Sequence, residues 1–118
     1  MKMDSSEKKY GAYRLFFGAL ATDSRLHLLN ALRKGRKNVS ELCQLTHCEQ
    51  SLVSHNLKIL EHHGMVFVEK KGKFRYYKLN EKTITPLLQL IDTHMKQYCC
   101  KILEGERTTE KMQHEHHH

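Results

Sequence analysis

The sequence lacks any apolar run that could span a membrane, a role that needs roughly 20 residues. Its longest such run, Leu15 to Ala21, is closely flanked by Tyr13, Arg14 and Asp23, too short and too polar at its edges for a signal peptide. A cytoplasmic protein is expected. Cysteine is sparse and wrongly spaced for a framework: Cys43, Cys48, Cys99 and Cys100 fit neither a disulfide scaffold nor a zinc finger. In a reducing compartment they are expected as thiols, available for ligation or redox sensing. There is no internal repeat, and compositional bias is confined to the histidine-rich end. No nucleophile with its base, phosphate loop or acid pair stands out, so an enzyme is not expected. Acids are also in the minority. Asp and Glu number 13 against 20 Lys and Arg in 118 residues, a formal net charge of +7 and a pI near 9.3. That balance favours an anionic partner, nucleic acid or a membrane surface, and says nothing of fold.

What the sequence does contain is a succession of short amphipathic segments. Residues 1–8 are polar and expected to be flexible. Tyr13, Phe16, Phe17 and Leu20 mark a first helix, interrupted near Thr22 and Asp23, either of which can cap the next. Leu26, Leu28, Leu29 and Leu32 carry a second helix, which Gly35 closes in the basic turn "RKGRK". Ser40, Leu42 and Leu45 predict a short third helix, followed by the turn "HCE" and a fourth helix. In that fourth helix Val53, Leu57 and Leu60 fall at i, i+4 and i+7, with Leu52 and Ile59 widening the stripe, and Gly64 stands where a left-handed residue would end it. Two short helices joined by a tight turn make a helix-turn-helix. Val66 and Val68 alternate with Phe67 and Glu69, "KKGK" turns the chain, and Phe74, Tyr76, Tyr77 and Leu79 return it as a second strand. Thr85 and Pro86 read as the cap and first residue of a fifth helix reaching about Glu104.

The expected fold is mainly α with a β-hairpin: a winged helix-turn-helix of five helices and a two-stranded wing. It occupies 9–104 between a flexible start, 1–8, and a flexible histidine-rich tail, 105–118. On the fourth helix Ser51, Ser54, His55, Lys58 and His62 share the side opposite the apolar stripe, so that side is polar, uncharged or positive, and free of acid. It could be an ordinary solvated face or one that lies against a polyanion. The hairpin tip offers the same choice, since its lysines also suit the protection of a sheet edge.

The strings "LATDSRLHLLNAL", "NVSELCQLTHCEQSLVSHNLKILEHHGMV" and "KGKFRYYKL" together resemble the ArsR/SmtB family of winged-helix repressors over Leu20 to Leu79. The resemblance implies a homodimer on a palindromic double-stranded DNA operator, with no membrane partner, released when a metal ion, metalloid or reactive sulfur species binds. It places Gln50, Ser51, Ser54, His55 and Lys58 in the major groove, reading base edges or phosphates. Lys70, Lys71, Lys73 and Arg75 of the wing would grip phosphates and reach the adjacent minor groove. A protein-interaction module without effector response is the alternative.

For an effector, a transition metal ion or an arsenite-like metalloid, the candidates cluster on the fifth helix. Leu87, Leu88, Ile91, Met95, Tyr98 and Ile102 give it a broad apolar face suited to a dimer interface with the partner's first helix. Asp92 and His94 match the first half of the zinc-type site that some family members build there. The second half fails, because Gly105 and Thr108 occupy the positions where its ligands would stand. Cys99 and Cys100 form a vicinal thiol pair of the kind some arsenite-responsive relatives use. Asp92 and Cys99, seven residues apart, would share a helical face. Cys43 and Cys48 read as small half-buried residues. His114, Glu115, His116, His117 and His118 could add ligands or be a tag-like tail.

Overall fold

A computed structural model describes residues 5–104. In chain order the elements are α1 (Ser5–Leu20), α2 (Asp23–Leu32), β1 (Lys37–Asn38), α3 (Val39–Thr46) and α4 (Gln50–His62). They continue as β2 (Val66–Lys71), β3 (Phe74–Leu79), α5 (Ile84–Tyr98) and α6 (Cys100–Leu103). The chain divides into two compact units, one ending at Glu81 and the other beginning at Lys82. Among the described residues no helix is long and apolar enough to cross a membrane.

Local chemistry sets the helix boundaries of the first unit. Thr22 caps α2, its hydroxyl accepting from the Arg25 amide at 3.3 Å. At α3 the sequence pattern N-x-x-E closes a reciprocal capping box. The Glu41 amide donates to Asn38 Oδ1 at 2.8 Å and the Asn38 amide donates to Glu41 Oε1 at 3.0 Å, satisfying two otherwise orphan donors. Replacing Asn38 by alanine is expected to lower stability by about 1 kcal/mol, read from a urea melt. The end of α4 is a Schellman turn. Gly64, at φ 71°, donates to Glu61 O at 3.0 Å, and Met65 donates to Leu60 O at 2.9 Å. Met65 and Leu60 are both fully buried, which supplies the apolar contact this turn needs. Gly64 has the role its position in the sequence suggests.

The core of this unit comprises Leu28, Leu29 and Leu32 of α2, Leu42 of α3, and Val53, Leu57 and Leu60 of α4, joined by Met65, Val66, Tyr77 and Leu79. Leu26, Leu45 and Leu52, expected in the apolar stripes, are instead exposed. The helix α1 starts at Ser5, so Ser5–Lys8 are helical rather than part of a flexible start. Of the apolar face expected on α1, Leu20 is buried and Phe16 half-buried, while Tyr13 and Phe17 are exposed. Periodicity marks a side of a helix as apolar; a single chain need not cover it.

The sheet has three strands, in the order β1-β3-β2, not the two expected. The extra strand is the pair Lys37–Asn38, antiparallel to Tyr77 and Tyr76. Strands β2 and β3 run from Val66 opposite Leu79 to Lys71 opposite Phe74, closed by the two-residue turn Gly72-Lys73. Gly72 takes φ 61°, the positive angle that a glycine in the first position of such a turn supplies without strain. Because side chains alternate across a strand, Val66, Val68, Leu79 and Tyr77 share one face with Lys70 and Arg75, while Phe67, Glu69, Lys71, Phe74, Tyr76 and Lys78 share the other.

In the second unit Thr83 occupies the cap position of α5 and makes no side-chain capping bond; the helix starts two residues earlier than the sequence suggests, so Thr85 and Pro86 lie inside its first turn. The fifth helix is also shorter than expected. It stops at Tyr98, and Cys99, at φ −131° and ψ 32°, separates it from the single turn of α6. No proline or glycine marks that break, which is why periodicity runs through it. Leu90, Ile91 and Tyr98 are exposed, Tyr98 by 74%.

Candidate nucleic-acid interface

The helix-turn-helix is α3, a short turn and α4. His47 leaves α3 in the left-handed conformation (φ 56°), Thr46 Oγ1 donates back to Leu42 O at 2.7 Å, and Cys48 Sγ donates to Thr46 O at 3.4 Å. Both bonds lie within the end of α3 and the turn that leads to α4. Its buried side is Val53, Asn56, Leu57 and Leu60, which leaves Gln50, Ser51, His55 and Lys58 exposed and Ser54 half-buried on the other. Glu49 precedes the helix without capping it through its side chain. Towards the C-terminal end the exposed side widens into a cleft of about 540 Å³ lined by His55, Lys58, Ile59, Glu61, His62 and His63. Glu61 therefore brings an acid to the edge of a face that the sequence suggested had none.

The wing separates its charges. On the outer face Glu69 accepts from Lys78 Nζ at 2.8 Å and from Arg36 Nη1 at 3.0 Å, and the Arg36 guanidinium also lies 5.3 Å from the centre of the Tyr76 ring. The hydrogen bonds from Lys78 and then Arg36 hold the Glu69 carboxyl below its usual range, and the same contact raises Lys78. The one acid of the hairpin is thereby neutralised. Lys70, Lys71, Lys73 and Arg75 are all exposed, and among the described residues none of them has an acidic partner. Lys73 rests 5.5 Å from the centre of the Phe74 ring. The triad of Arg36, Glu69 and Lys78 has no signature in the sequence, because Arg36 reaches it from beyond the end of α2 across 33 residues.

Among the described residues the effector candidates do not assemble within one chain. Asp92 and His94 are exposed on α5, with the His94 ring 5.1 Å from that of Tyr98. Cys99 is half-buried in the break and Cys100 exposed at the start of α6, so the helical face expected to unite Asp92 with Cys99 is interrupted. Cys43 and Cys48 are half-buried free thiols, as expected. Among the described residues no three His, Cys, Asp or Glu side chains stand together as a metal site would require. A tetrahedral ion takes four donors, so these residues alone do not fit one. Gly105, Thr108 and the ligands of the histidine tail lie outside the described residues.

A family model for bacterial regulatory proteins of the arsR family matches residues 22–67, which hold α2, α3 and α4. Similarity extends well beyond that segment. The arsenical resistance operon repressor of Bacillus subtilis is 33% identical over 89 residues, covering 75% of this chain and 79% of the relative. The chain belongs to the arsR family. NmtR, a transcriptional regulator of Mycobacterium tuberculosis, is 40% identical over 70 residues, which cover 59% of this arsR-family chain and 58% of NmtR. A solution structure of apo-NmtR aligns with a TM-score of 0.65 at 33% identity, over 82% of this chain and 80% of that one. The homodimeric winged helix-turn-helix DNA-binding domain Mb0332 of Mycobacterium bovis aligns with a TM-score of 0.74 at 22% identity, over 83% and 91%. The fold is thus a winged helix-turn-helix.

Proposed function

We propose that this arsR-family protein is a cytoplasmic transcriptional repressor that binds a double-stranded DNA operator as a homodimer and is released by an effector. The observation that carries DNA binding is the pairing of two surfaces with complementary tasks. The exposed side of α4 offers Gln50, Ser51, Ser54, His55 and Lys58, small hydroxyls that allow close approach beside longer groups that reach base edges. The hairpin offers Lys70 and Arg75 on one face, Lys71 on the other and Lys73 at the tip. Cations on both faces of a ribbon suit a tip inserted into a groove, where a phosphate backbone stands on either side.

Dimerisation is supported by apolar surface that a lone chain leaves wet. Tyr10, Leu15 and Phe17 of α1 are 64%, 66% and 59% exposed, and α5 exposes Leu90, Ile91 and Tyr98. Runs of this size commonly mark a protein interface. The effector is a metal ion, metalloid or thiol-reactive species, held by donors drawn from Asp92, His94, Cys99 and Cys100, with the remaining ligands supplied by the second chain.

A homodimer on a palindrome places its two reading helices about one helical turn apart, or a multiple of it. A gel shift on an inverted repeat with that spacing is expected to give one complex, and sedimentation is expected to count two chains per duplex. One chain per duplex would reject the dimer; an absence of binding to any duplex at low salt would reject DNA as the partner.

A further inference from the structure

Among the described residues, the only fully polar side chain buried in the core is Asn56, 4% exposed, on the inner side of α4. It is held from two directions. Its Nδ2 donates to Leu52 O, one turn back in the same helix, at 3.1 Å, and its Oδ1 accepts from Arg25 Nη1 at 3.1 Å. The same guanidinium reaches the end of α1, where Nε donates to Ala19 O at 2.6 Å and Nη2 donates to Gly18 O at 3.3 Å. One rigid planar group from α2 therefore joins the last carbonyls of α1 to the inward side of α4.

We infer that Arg25 is a positioning residue of the DNA-reading helix, setting the rotation and height of α4 through Asn56. Val53, Leu57 and Leu60 hold α4 in the core through apolar contact, which is non-directional and tolerates small rotations and slides. A hydrogen bond does not: it weakens steeply once its angle or length departs from a narrow range. Asn56 stands between His55 and Leu57, so an angle fixed at Asn56 fixes the outward angles of Ser54, His55 and Lys58 on the opposite side. Those are the groups that must meet base edges with hydrogen-bond tolerance. The planar fork of an arginine can serve three acceptors in fixed directions, whereas a lysine places one point charge on a flexible stem. The tie to Gly18 and Ala19 also carries any movement of the end of α1, the helix with the exposed tyrosines and phenylalanine, to the reading face.

This inference rests on α4 reading DNA, and its test separates the two. The full-length protein first selects a duplex from a random library, and affinity is then measured for the selected duplex and for an unrelated one at the same salt. Arg25→Lys keeps the charge, so binding to the unrelated duplex is expected within about twofold of wild type, while the preference for the selected duplex falls on the order of tenfold or more. Arg25→Leu orphans Asn56 Oδ1 in the core and is expected to destabilise the fold. Adding Asn56→Leu replaces both partners by apolar groups and is expected to restore most of that stability without restoring the preference. A preference that survives Arg25→Lys, or that returns together with stability in the double variant, overturns the inference and leaves Arg25 a structural role only. A wild-type protein that selects no sequence overturns the DNA reading of α4 itself, and the inference with it.

Discussion

Replacing Lys70, Lys71, Lys73 and Arg75 together by alanine is expected to weaken binding to every duplex by on the order of 10³-fold for each engaged wing at ~0.1 M salt, whatever the sequence. Each neutralised phosphate contributes roughly 0.9 to the slope of log affinity against log salt, so four contacts contribute about 3.6 per wing. All four side chains are exposed at or near the turn Gly72-Lys73, and Gly72, whose positive φ the turn requires, is left in place. The fold should therefore survive, which a melt can check. The outer-face triad of Arg36, Glu69 and Lys78 is untouched, so Glu69 remains paired and adds no new repulsion. The expected signature is a flatter salt dependence with preference among sequences retained. His55→Ala or Ser54→Ala should behave in the opposite way, losing about 1 to 3 kcal/mol at particular base pairs with the slope little changed. If the fourfold variant keeps the wild-type slope, the wing does not touch phosphate and its lysines guard a sheet edge.

The parts of this molecule that were legible in the sequence are those decided within a few residues. The stripe of Val53, Leu57 and Leu60, the closing Gly64 and the alternation through β2 and β3 are local patterns, and the structure repeats them. The strand Lys37–Asn38 was invisible because two polar residues carry no period; their partners, Tyr76 and Tyr77, lie nearly forty residues on. Asn38 could have been found, since N-x-x-E before an apolar run is a capping signature, but Ser40 drew the helix start instead. Tyr13 and Phe17 illustrate a different limit, for periodicity identifies an apolar face without saying whether this chain or another covers it. Arg25 and Asn56, 31 residues apart, form a contact that only the packing of α2 on α4 creates. Of the candidate interface, the exposed side of α4 is readable in the sequence; which cations stand on which side of the wing comes from the register.

Removal of Asp92, His94, Cys99 and Cys100 together is expected to abolish the effector response while leaving operator binding intact. An ion that binds the DNA-free protein more tightly than the DNA-bound one must weaken operator binding by the same factor, because the coupling is reciprocal. Asp92→Ala with His94→Ala is expected to abolish release by zinc, cobalt or nickel, for which a carboxylate and an imidazole are suitable donors. Cys99→Ser with Cys100→Ser is expected to abolish release by arsenite or a thiol-reactive compound; both are free thiols, and Cys100 is exposed. All four residues belong to the second unit, beyond Lys82, and none is among the α4 and wing residues proposed to meet DNA. Thiols and imidazoles must lose protons before they ligate, so either response should weaken as pH falls. Among the described residues one chain brings too few donors together, so the response should also need the dimer, and a variant held monomeric should show none. The decisive measurement is release of a labelled operator from the protein with Asp92, His94, Cys99 and Cys100 all substituted and residues 114–118 also deleted. Release that persists there places the sensor elsewhere, and the half-buried thiols of Cys43 and Cys48, in α3 and in the turn that leads to α4, become the residues to substitute next.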